Sequence, residues 1–311
     1  MNRTVKDYSL ITLKGIAMGA ADVIPGVSGG TIAFITGIYE ELINSIKSIN
    51  LTALKLLFTG KFAEFWKAVN GTFLLSLFTG IAISIISLAK GLKYLLDHHP
   101  ILVWSFFFGL VVSSAIYVAR TIKNWSFGTI VSGTTGIVIA YFITVITPAE
   151  ANTTNWFIFL SGAIAICAMI LPGISGSFIL VLLGMYKFIL EAVGNFELAI
   201  ILTFLAGAAI GIISFSNILS WLLKKYHNLT IALLAGFMVG SLNKVWPWKE
   251  VVETFTDRHG EIKPLIEENV LPATYEQITG NQSFIIGAIA LAIFGFILIF
   301  VIENIANRLK K

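Results

Sequence analysis

The chain has 311 residues, of which 57% are hydrophobic and 12% are charged, and its formal net charge is +4. A soluble globular domain could not cover so much apolar surface, so the composition excludes that class and predicts an integral membrane protein. The single cysteine, Cys167, excludes a disulfide within the chain, and the four histidines show no metal-ligand spacing. The sequence therefore carries no metalloenzyme signature.

The first half of the chain, residues 1–150, begins with two short apolar segments on either side of a Pro-Gly step. Segments 8–24 and 28–46 are at or below the length that crosses the roughly 30 Å hydrocarbon layer, so we predict a re-entrant helical hairpin over 8–46. A lysine-dotted helix lying on the membrane surface is predicted over 47–68. Three spans follow, at 71–90, 100–119 and 127–147.

The second half, residues 151–311, follows the same plan, with a re-entrant hairpin over 156–194 and then three spans at 198–220, 229–246 and 282–303. Segment 247–281 is rich in Asp and Glu, so we expect a solvated outer loop there rather than a folded domain. The predicted fold is an all-α polytopic membrane protein with six spans and two re-entrant hairpins. Paired broken spans are the alternative, because a broken helix pair and a re-entrant hairpin have the same hydropathy profile.

The two halves repeat each other in sequence. Pro25, Gly26, Ser28 and Gly29 match Pro172, Gly173, Ser175 and Gly176 at one constant offset, and Gly37 matches Gly184 at the same offset. Because each half carries an odd number of predicted spans, the halves would have opposite orientations, which is the inverted repeat of many transporters. Most Lys and Arg residues then fall on the side of the N-terminus, which predicts cytoplasmic N- and C-termini.

The repeated Pro-Gly-x-Ser-Gly motifs indicate a binding site. Proline ends the preceding helix and glycine permits a turn, so the N–H groups that begin the next helix lack helical partners and can bind an anion. The alternative is that these residues only kink helices and let them pack closely. The candidate substrate-binding residues in the motifs are Pro25, Gly26, Ser28, Gly29, Gly30, Thr31, Pro172, Gly173, Ser175, Gly176 and Ser177.

Two acidic residues are candidates for proton coupling. Asp22 lies three residues before Pro25 in an apolar stretch, and its repeat partner is Met169. An ionisable group at that depth is a functional hypothesis by default, and the alternative is that Asp22 caps the broken helix. Glu40 matches Lys187 in the repeat, and for both of them a residue that snorkels to the membrane interface is the favoured interpretation.

Two basic residues are candidates for binding a phosphate head group as it enters. Arg120 and Lys244 each lie near the end of the second predicted span of their half. Ordinary positive-inside anchoring explains Arg120 at least as well, and Lys244 somewhat less well.

The stretch GAADVIPGVSGGT over 19–31, together with LPGISGS over 171–177, resembles the bacterial polyprenyl-phosphate transporter family, and the likeness covers essentially the whole chain. The resemblance implies a multi-pass protein of the plasma membrane that returns undecaprenyl phosphate from the outer to the cytoplasmic leaflet for reuse in envelope synthesis. It implies a lipid partner and neither a cofactor nor nucleic acid. Moving this anion inward opposes the membrane potential by about 2.3 kcal/mol per charge per 100 mV, so we hypothesise proton coupling through Asp22.

Two other functions compete with this one. A membrane undecaprenyl-pyrophosphate phosphatase also uses inverted repeats with Pro-Gly and Ser-rich motifs, but it needs acid, base and cationic groups at the pyrophosphate. Both motifs of this chain lack Arg, His and a close Glu. The sequence thus favours a transporter over an enzyme. A small-anion secondary transporter is the third possibility, and it would not need a prenyl tail.

Overall fold

A computed structural model describes residues 3–22, 28–146, 148–149, 151–256 and 262–309. In the first half its helices are α1 (Val5–Asp22), α2 (Gly29–Ile35), α3 (Tyr39–Lys47), α4 (Leu51–Phe58), α5 (Phe62–Ala68), α6 (Gly71–His98), α7 (Pro100–Arg120) and α8 (Phe127–Val145). In the second half they are α9 (Asn155–Ile170), α10 (Gly176–Leu182), α11 (Tyr186–Gly194), α12 (Leu198–Lys225), α13 (His227–Gly240), α14 (Pro272–Thr279) and α15 (Ile285–Leu309). The protein is therefore mostly helical, as predicted.

The second arm of each predicted hairpin is two helices rather than one. Gly37 and Gly184 have φ angles of 71° and 68°, in the left-handed region that ends a helix. The next N–H group reaches back across each turn, from Ile38 to the Ala33 carbonyl at 3.0 Å and from Met185 to the Leu180 carbonyl at 2.8 Å. The bend between α10 and α11 is 111°. The re-entrant hairpins over 8–46 and 156–194 stay predictions, and each of them contains one break more than its Pro-Gly step.

The predicted surface helix over 47–68 is also divided, into α4 and α5. Gly60 has a φ of 75°, and the Lys61 N–H donates to the Leu56 carbonyl at 2.9 Å, so the same kind of turn ends α4. Leu51 and Phe58 are 85% and 84% exposed. Such exposed apolar side chains are typical of short helices that lie on a membrane.

Four helices in the described residues, α6, α7, α8 and α12, are long and apolar enough to cross a membrane, and the bent pair α10 and α11 would make a fifth if it is one span. The predicted span over 229–246 is shorter in the structure, because α13 ends at Gly240 and a 3₁₀ turn, Ser241–Asn243, follows it. Helix α13 is thus about 21 Å long at 1.5 Å per residue. The chain is a multi-span helical membrane protein, and the number six stays a prediction.

The packing of the long helices follows the sequence repeat. Helix α1 packs on α6, and its counterpart α9 packs on α12. Helices α7 and α8 instead pack on the other half, on α15 and α13, and α7 also contacts α13. Gly80 and Gly207 allow the close approach within each half, since a Cβ there would collide with the carbonyl of Thr12 or of Phe159.

The segment after α13 contains regular structure. Strand β1 (Lys249–Thr256) pairs antiparallel with β2 (Ile262–Asn269), and α14 follows. Two indole N–H groups fasten this hairpin to the helices, from Trp246 to the Val270 carbonyl and from Trp248 to the Ser283 carbonyl, both at 2.9 Å. The predicted loop over 247–281 thus contains a β-hairpin that was not predicted from the sequence, and β1 and β2 satisfy each other's backbone groups.

Candidate functional site

The two Pro-Gly motifs lie in contact with each other. The Ser28 hydroxyl donates to the Met169 carbonyl at 3.1 Å, and the Gly173 N–H donates to the Thr31 hydroxyl oxygen at 3.1 Å. The Ser28 and Thr31 side chains are completely buried. Ser28 and Met169 are 141 residues apart in the chain, so these bonds join the two halves. We call this contact the motif junction.

A third hydrogen bond supports the motif junction. The hydroxyl of Tyr39, at the start of α3, donates to the Ile170 carbonyl at 3.2 Å, and Tyr39 is 3% exposed. Pro172, Gly173 and Ser175 are also buried, and Ser177 is half-buried. The first motif's Pro25 and Gly26 lie outside the described residues.

The amides that begin α2 already have acceptors within the protein. The Gly29 N–H donates to Asp22 Oδ1 at 2.7 Å, and the Gly30 N–H donates to Ser28 Oγ at 3.0 Å. Asp22 therefore accepts one of the N–H bonds at the start of α2, the role that the sequence left open as an alternative to proton transfer, while Ser28 is the N-cap residue. An anion that reached these two amides would have to displace a carboxylate and a hydroxyl.

The second motif differs from the first at this point. Ser175 caps α10 by accepting from the Phe178 N–H at 3.2 Å, and its hydroxyl lies 3.3 Å from that of Ser177. Met169 stands at the position of Asp22 in the repeat, and its thioether side chain has no carboxylate that could accept from the Gly176 N–H. The start of α10 is thus the less negative of the two motifs, which favours an anion more than the start of α2 does.

A polar cavity adjoins the second motif. It has a volume of about 350 Å³, and its lining includes Thr144, Phe178, Asn243, Lys244, Lys249, Glu267 and Asn269. Phe178 belongs to the first turn of α10. A Cβ on Gly173 would lie 2.7 Å from the Ser241 hydroxyl oxygen, so the 3₁₀ turn that leads to Lys244 touches the motif itself. We call this space the lysine cavity.

Two ammonium groups share one carboxylate in the lysine cavity. Glu267 Oε2 accepts from Lys244 Nζ at 3.4 Å and from Lys249 Nζ at 3.3 Å. Each ammonium also lies over an aromatic ring, Lys244 at 4.7 Å from the centre of Phe178 and Lys249 at 4.2 Å from that of Trp104. The side chain of Lys249 is 7% exposed, against 20% for Lys244. Both cations are therefore held in place before any ligand arrives.

The lysine cavity is lined by two lysines, Lys244 and Lys249, and by two glutamates, Glu267 and Glu268. Burial lowers the pKa of Lys249 to about 8, although Glu267 opposes that change. Burial pushes the pKa of Glu267 upwards, but Lys249 and Lys244 outweigh it and hold that pKa below its ordinary value. Both ammonium groups thus converge on the Glu267 carboxylate, and an anion that displaces this carboxylate could bind the same two groups.

The other predicted residues lie elsewhere. Arg120 lies far from the lysine cavity. It is about 24 Å along α7, at about 1.5 Å per residue, from Trp104, whose ring contacts Lys249. The Arg120 guanidinium lies over the ring of Phe300. Glu40 is exposed and lies 3.7 Å from His227 Nδ1. Of the two basic candidates, only Lys244 belongs to the lysine cavity. The prediction missed Lys249 and Glu267, which a strand pairing places beside it.

Comparison with known proteins gives a consistent result. Residues 18–263 match the model of a family described as undecaprenyl phosphate translocase-like (VCA0040-like). A protein of Vibrio cholerae named polyprenyl-phosphate transporter is 47% identical over 302 residues, which cover 97% of this chain and 98% of that one. A Staphylococcus aureus protein of the same name is 37% identical over 76% of this chain and 85% of its own length. No solved structure matches. The chain belongs to the undecaprenyl phosphate translocase-like family.

Proposed function

We propose that this protein transports a polyprenyl phosphate, undecaprenyl phosphate, across the bacterial plasma membrane from the outer to the cytoplasmic leaflet. The observation that carries the proposal is the lysine cavity, where two ammonium groups converge beside the junction of two repeated motifs. A phosphomonoester carries about −1.5 to −2 charge at neutral pH and accepts strong hydrogen bonds, so it suits two ammonium groups. The names of the two relatives support the same substrate.

The proposed topology is an inverted repeat of residues 1–150 and 151–311. The exchange of partners between the halves, α7 with α15 and α8 with α13, supports a twofold relation. With the N-terminus in the cytoplasm, the β1–β2 hairpin and the lysine cavity face outwards. The head group would therefore bind first from the outer leaflet.

The proposed path runs from the lysine cavity to the motif junction. The phosphate leaves Lys244 and Lys249 for the start of α10, whose first turn contributes Phe178 to the cavity lining. It then passes the buried contact between Thr31 and Gly173, which must open for it. Only the head group needs this polar route, because the prenyl chain can stay in the lipid.

Leaflet exchange of undecaprenyl phosphate in proteoliposomes tests the function directly. We expect exchange that depends on the protein and that excess inorganic phosphate does not abolish. Exchange of small anions without any need for a prenyl tail would instead identify a small-anion transporter. Release of orthophosphate from undecaprenyl pyrophosphate by the purified protein would identify a phosphatase.

Coupling to protons is a separate part of the proposal, with Asp22 as the carrier. The variant Asp22→Asn keeps an acceptor for the Gly29 N–H but cannot take up a proton, so the α2 cap survives while coupling is lost. We expect exchange under an imposed pH gradient to fall at least tenfold, to about the rate without a gradient. Asp22→Ala, which also removes the cap, should cost about 1 kcal/mol of stability in addition.

The two variants separate the two roles of Asp22. If Asp22→Asn retained both the transport rate and its response to the pH gradient, Asp22 would be a cap only. The thermal unfolding temperature of each purified variant shows whether the cap has been kept.

A further inference from the structure

A second, mostly apolar groove lies beside the lysine cavity. It has a volume of about 460 Å³, and its apolar wall is formed by Phe108, Leu242, Trp246, Val270 and Leu271. The rings of Phe108 and Trp246 meet edge to face with their centres 5.7 Å apart. Among the residues that the structure describes, no titratable side chain lines this groove, in contrast to the lysine cavity. We call it the tail groove.

The tail groove and the lysine cavity share two wall residues, Asn243 and Asn269. Asn269 Nδ2 donates to the Asn243 carbonyl at 2.7 Å and to Asn243 Oδ1 at 2.8 Å. Asn243 Nδ2 in turn donates to the Thr144 hydroxyl oxygen at 2.8 Å. A neutral, hydrogen-bonded pair of asparagines thus lies at the boundary between the lysine cavity and the tail groove.

We infer that the tail groove binds the isoprene units next to the phosphate while the phosphate itself lies in the lysine cavity. A molecule that fits both spaces must have an anionic head joined directly to a hydrocarbon, and the asparagine pair lies at that joint. This inference rests on the proposed function, because it takes the lysine cavity as the head-group site. The remainder of the prenyl chain stays in the bilayer.

The size of the tail groove limits how much of the chain it recognises. A cavity of about 150 Å³ accommodates one benzene-sized group, so a groove of about 460 Å³ has room for about three isoprene units. Affinity should therefore rise with the first few isoprene units and then level off. Methyl phosphate, which has a head and no tail, should bind far more weakly than geranylgeranyl phosphate.

The test measures dissociation constants for methyl, geranyl and geranylgeranyl phosphate in nanodiscs, by competition against labelled undecaprenyl phosphate. Leu271, 67% exposed at the rim of the tail groove, is replaced in the variant Leu271→Gln. The matched control is Ile278→Gln, an equally neutral change on α14 at a residue that is 48% exposed and lies outside the groove. We expect Leu271→Gln to raise the dissociation constant of geranylgeranyl phosphate about tenfold and that of methyl phosphate less than about twofold. Ile278→Gln should change neither constant.

The outcomes separate the two levels of the proposal. Equal affinity for all three phosphates would contradict the inference that the tail groove binds isoprene units. Equal dissociation constants in Leu271→Gln and Ile278→Gln would contradict it as well. The variant Lys244→Gln tests the head-group site, and it should weaken every ligand alike. If Lys244→Gln binds methyl phosphate as tightly as the wild type does, the lysine cavity is not the head-group site. The inference about the tail groove is then wrong as well, because it depends on that site.

Discussion

The triple variant Lys244→Gln, Lys249→Gln, Glu267→Gln is expected to lose undecaprenyl phosphate binding and leaflet exchange by about a hundredfold or more. Each hydrogen bond to a charged group contributes about 1.5–3 kcal/mol, so two ammonium donors account for that loss. Glu267 is changed with the lysines because a carboxylate left alone at this depth would itself destabilise the fold. Binding is measured at pH 7, below the pKa of about 8 of Lys249.

The single variant Glu267→Gln should change affinity in the opposite direction. In the free protein the carboxylate of Glu267 lies between the two ammonium groups, at 3.4 Å and 3.3 Å, where a phosphate oxygen would lie in the complex. Removing its charge removes an internal competitor but lowers the pKa of Lys249 further, so we expect tighter binding by several-fold when it is measured on the acid side of neutrality, where Lys249 keeps its proton. Weaker binding would mean that Glu267 orients Lys244 and Lys249 for the ligand.

The matched control for these variants is Lys187→Gln. Lys187 is 56% exposed and pairs only loosely, at 3.9 Å, with Glu191 one turn further along α11. Exposed ion pairs of this kind contribute little to the stability of the fold, so leaflet exchange by Lys187→Gln should stay within about twofold of the wild-type rate. An equal loss in Lys187→Gln and in the triple variant would indicate a general effect of surface charge and would contradict the lysine cavity as the site.

The long helices and the N-caps at the two motifs follow from local sequence. Apolar stretches of sufficient length predict α6, α7, α8 and α12, because the bilayer requires long helices with satisfied backbones. Ser28 and Ser175 precede glycine at the start of a helix, and both are N-caps in the structure. The turns at Gly37 and Gly184 carried a usable signal as well, a glycine followed by an apolar residue, which the length argument ignored.

The lysine cavity depends on contacts that spacing along the chain does not contain. Lys249 pairs with Asn269 across the β-hairpin, and this register puts Glu267 diagonally opposite on the same face. An acidic, charged segment gives no strong strand signal, so neither the hairpin nor its register could be predicted. Asp22 is a different case, since its sequence context allowed both a cap and a proton carrier; the structure shows the hydrogen bond to Gly29, and proton transfer stays a prediction.

The second large effect is expected at the motif junction, from the variant Gly30→Ala. A Cβ on Gly30 would lie 2.5 Å from the Ile170 carbonyl oxygen, which belongs to the other half and also accepts the Tyr39 hydroxyl. The main chain must move to accommodate it, at a cost of about 1–3 kcal/mol. We expect exchange to fall at least tenfold, while phosphate binding in the lysine cavity stays within about twofold.

A second variant reaches the same contact without adding volume. Thr31→Val keeps the shape of the side chain but leaves the Gly173 N–H without its acceptor, which costs about 1–3 kcal/mol for a buried donor. The control is Gly91→Ala, because a Cβ on Gly91 meets nothing within 4 Å. If Gly30→Ala and Thr31→Val exchanged lipid as fast as Gly91→Ala does, the phosphate would not pass the motif junction. A parallel loss of binding and exchange would instead show that both halves must hold together for the lysine cavity to form.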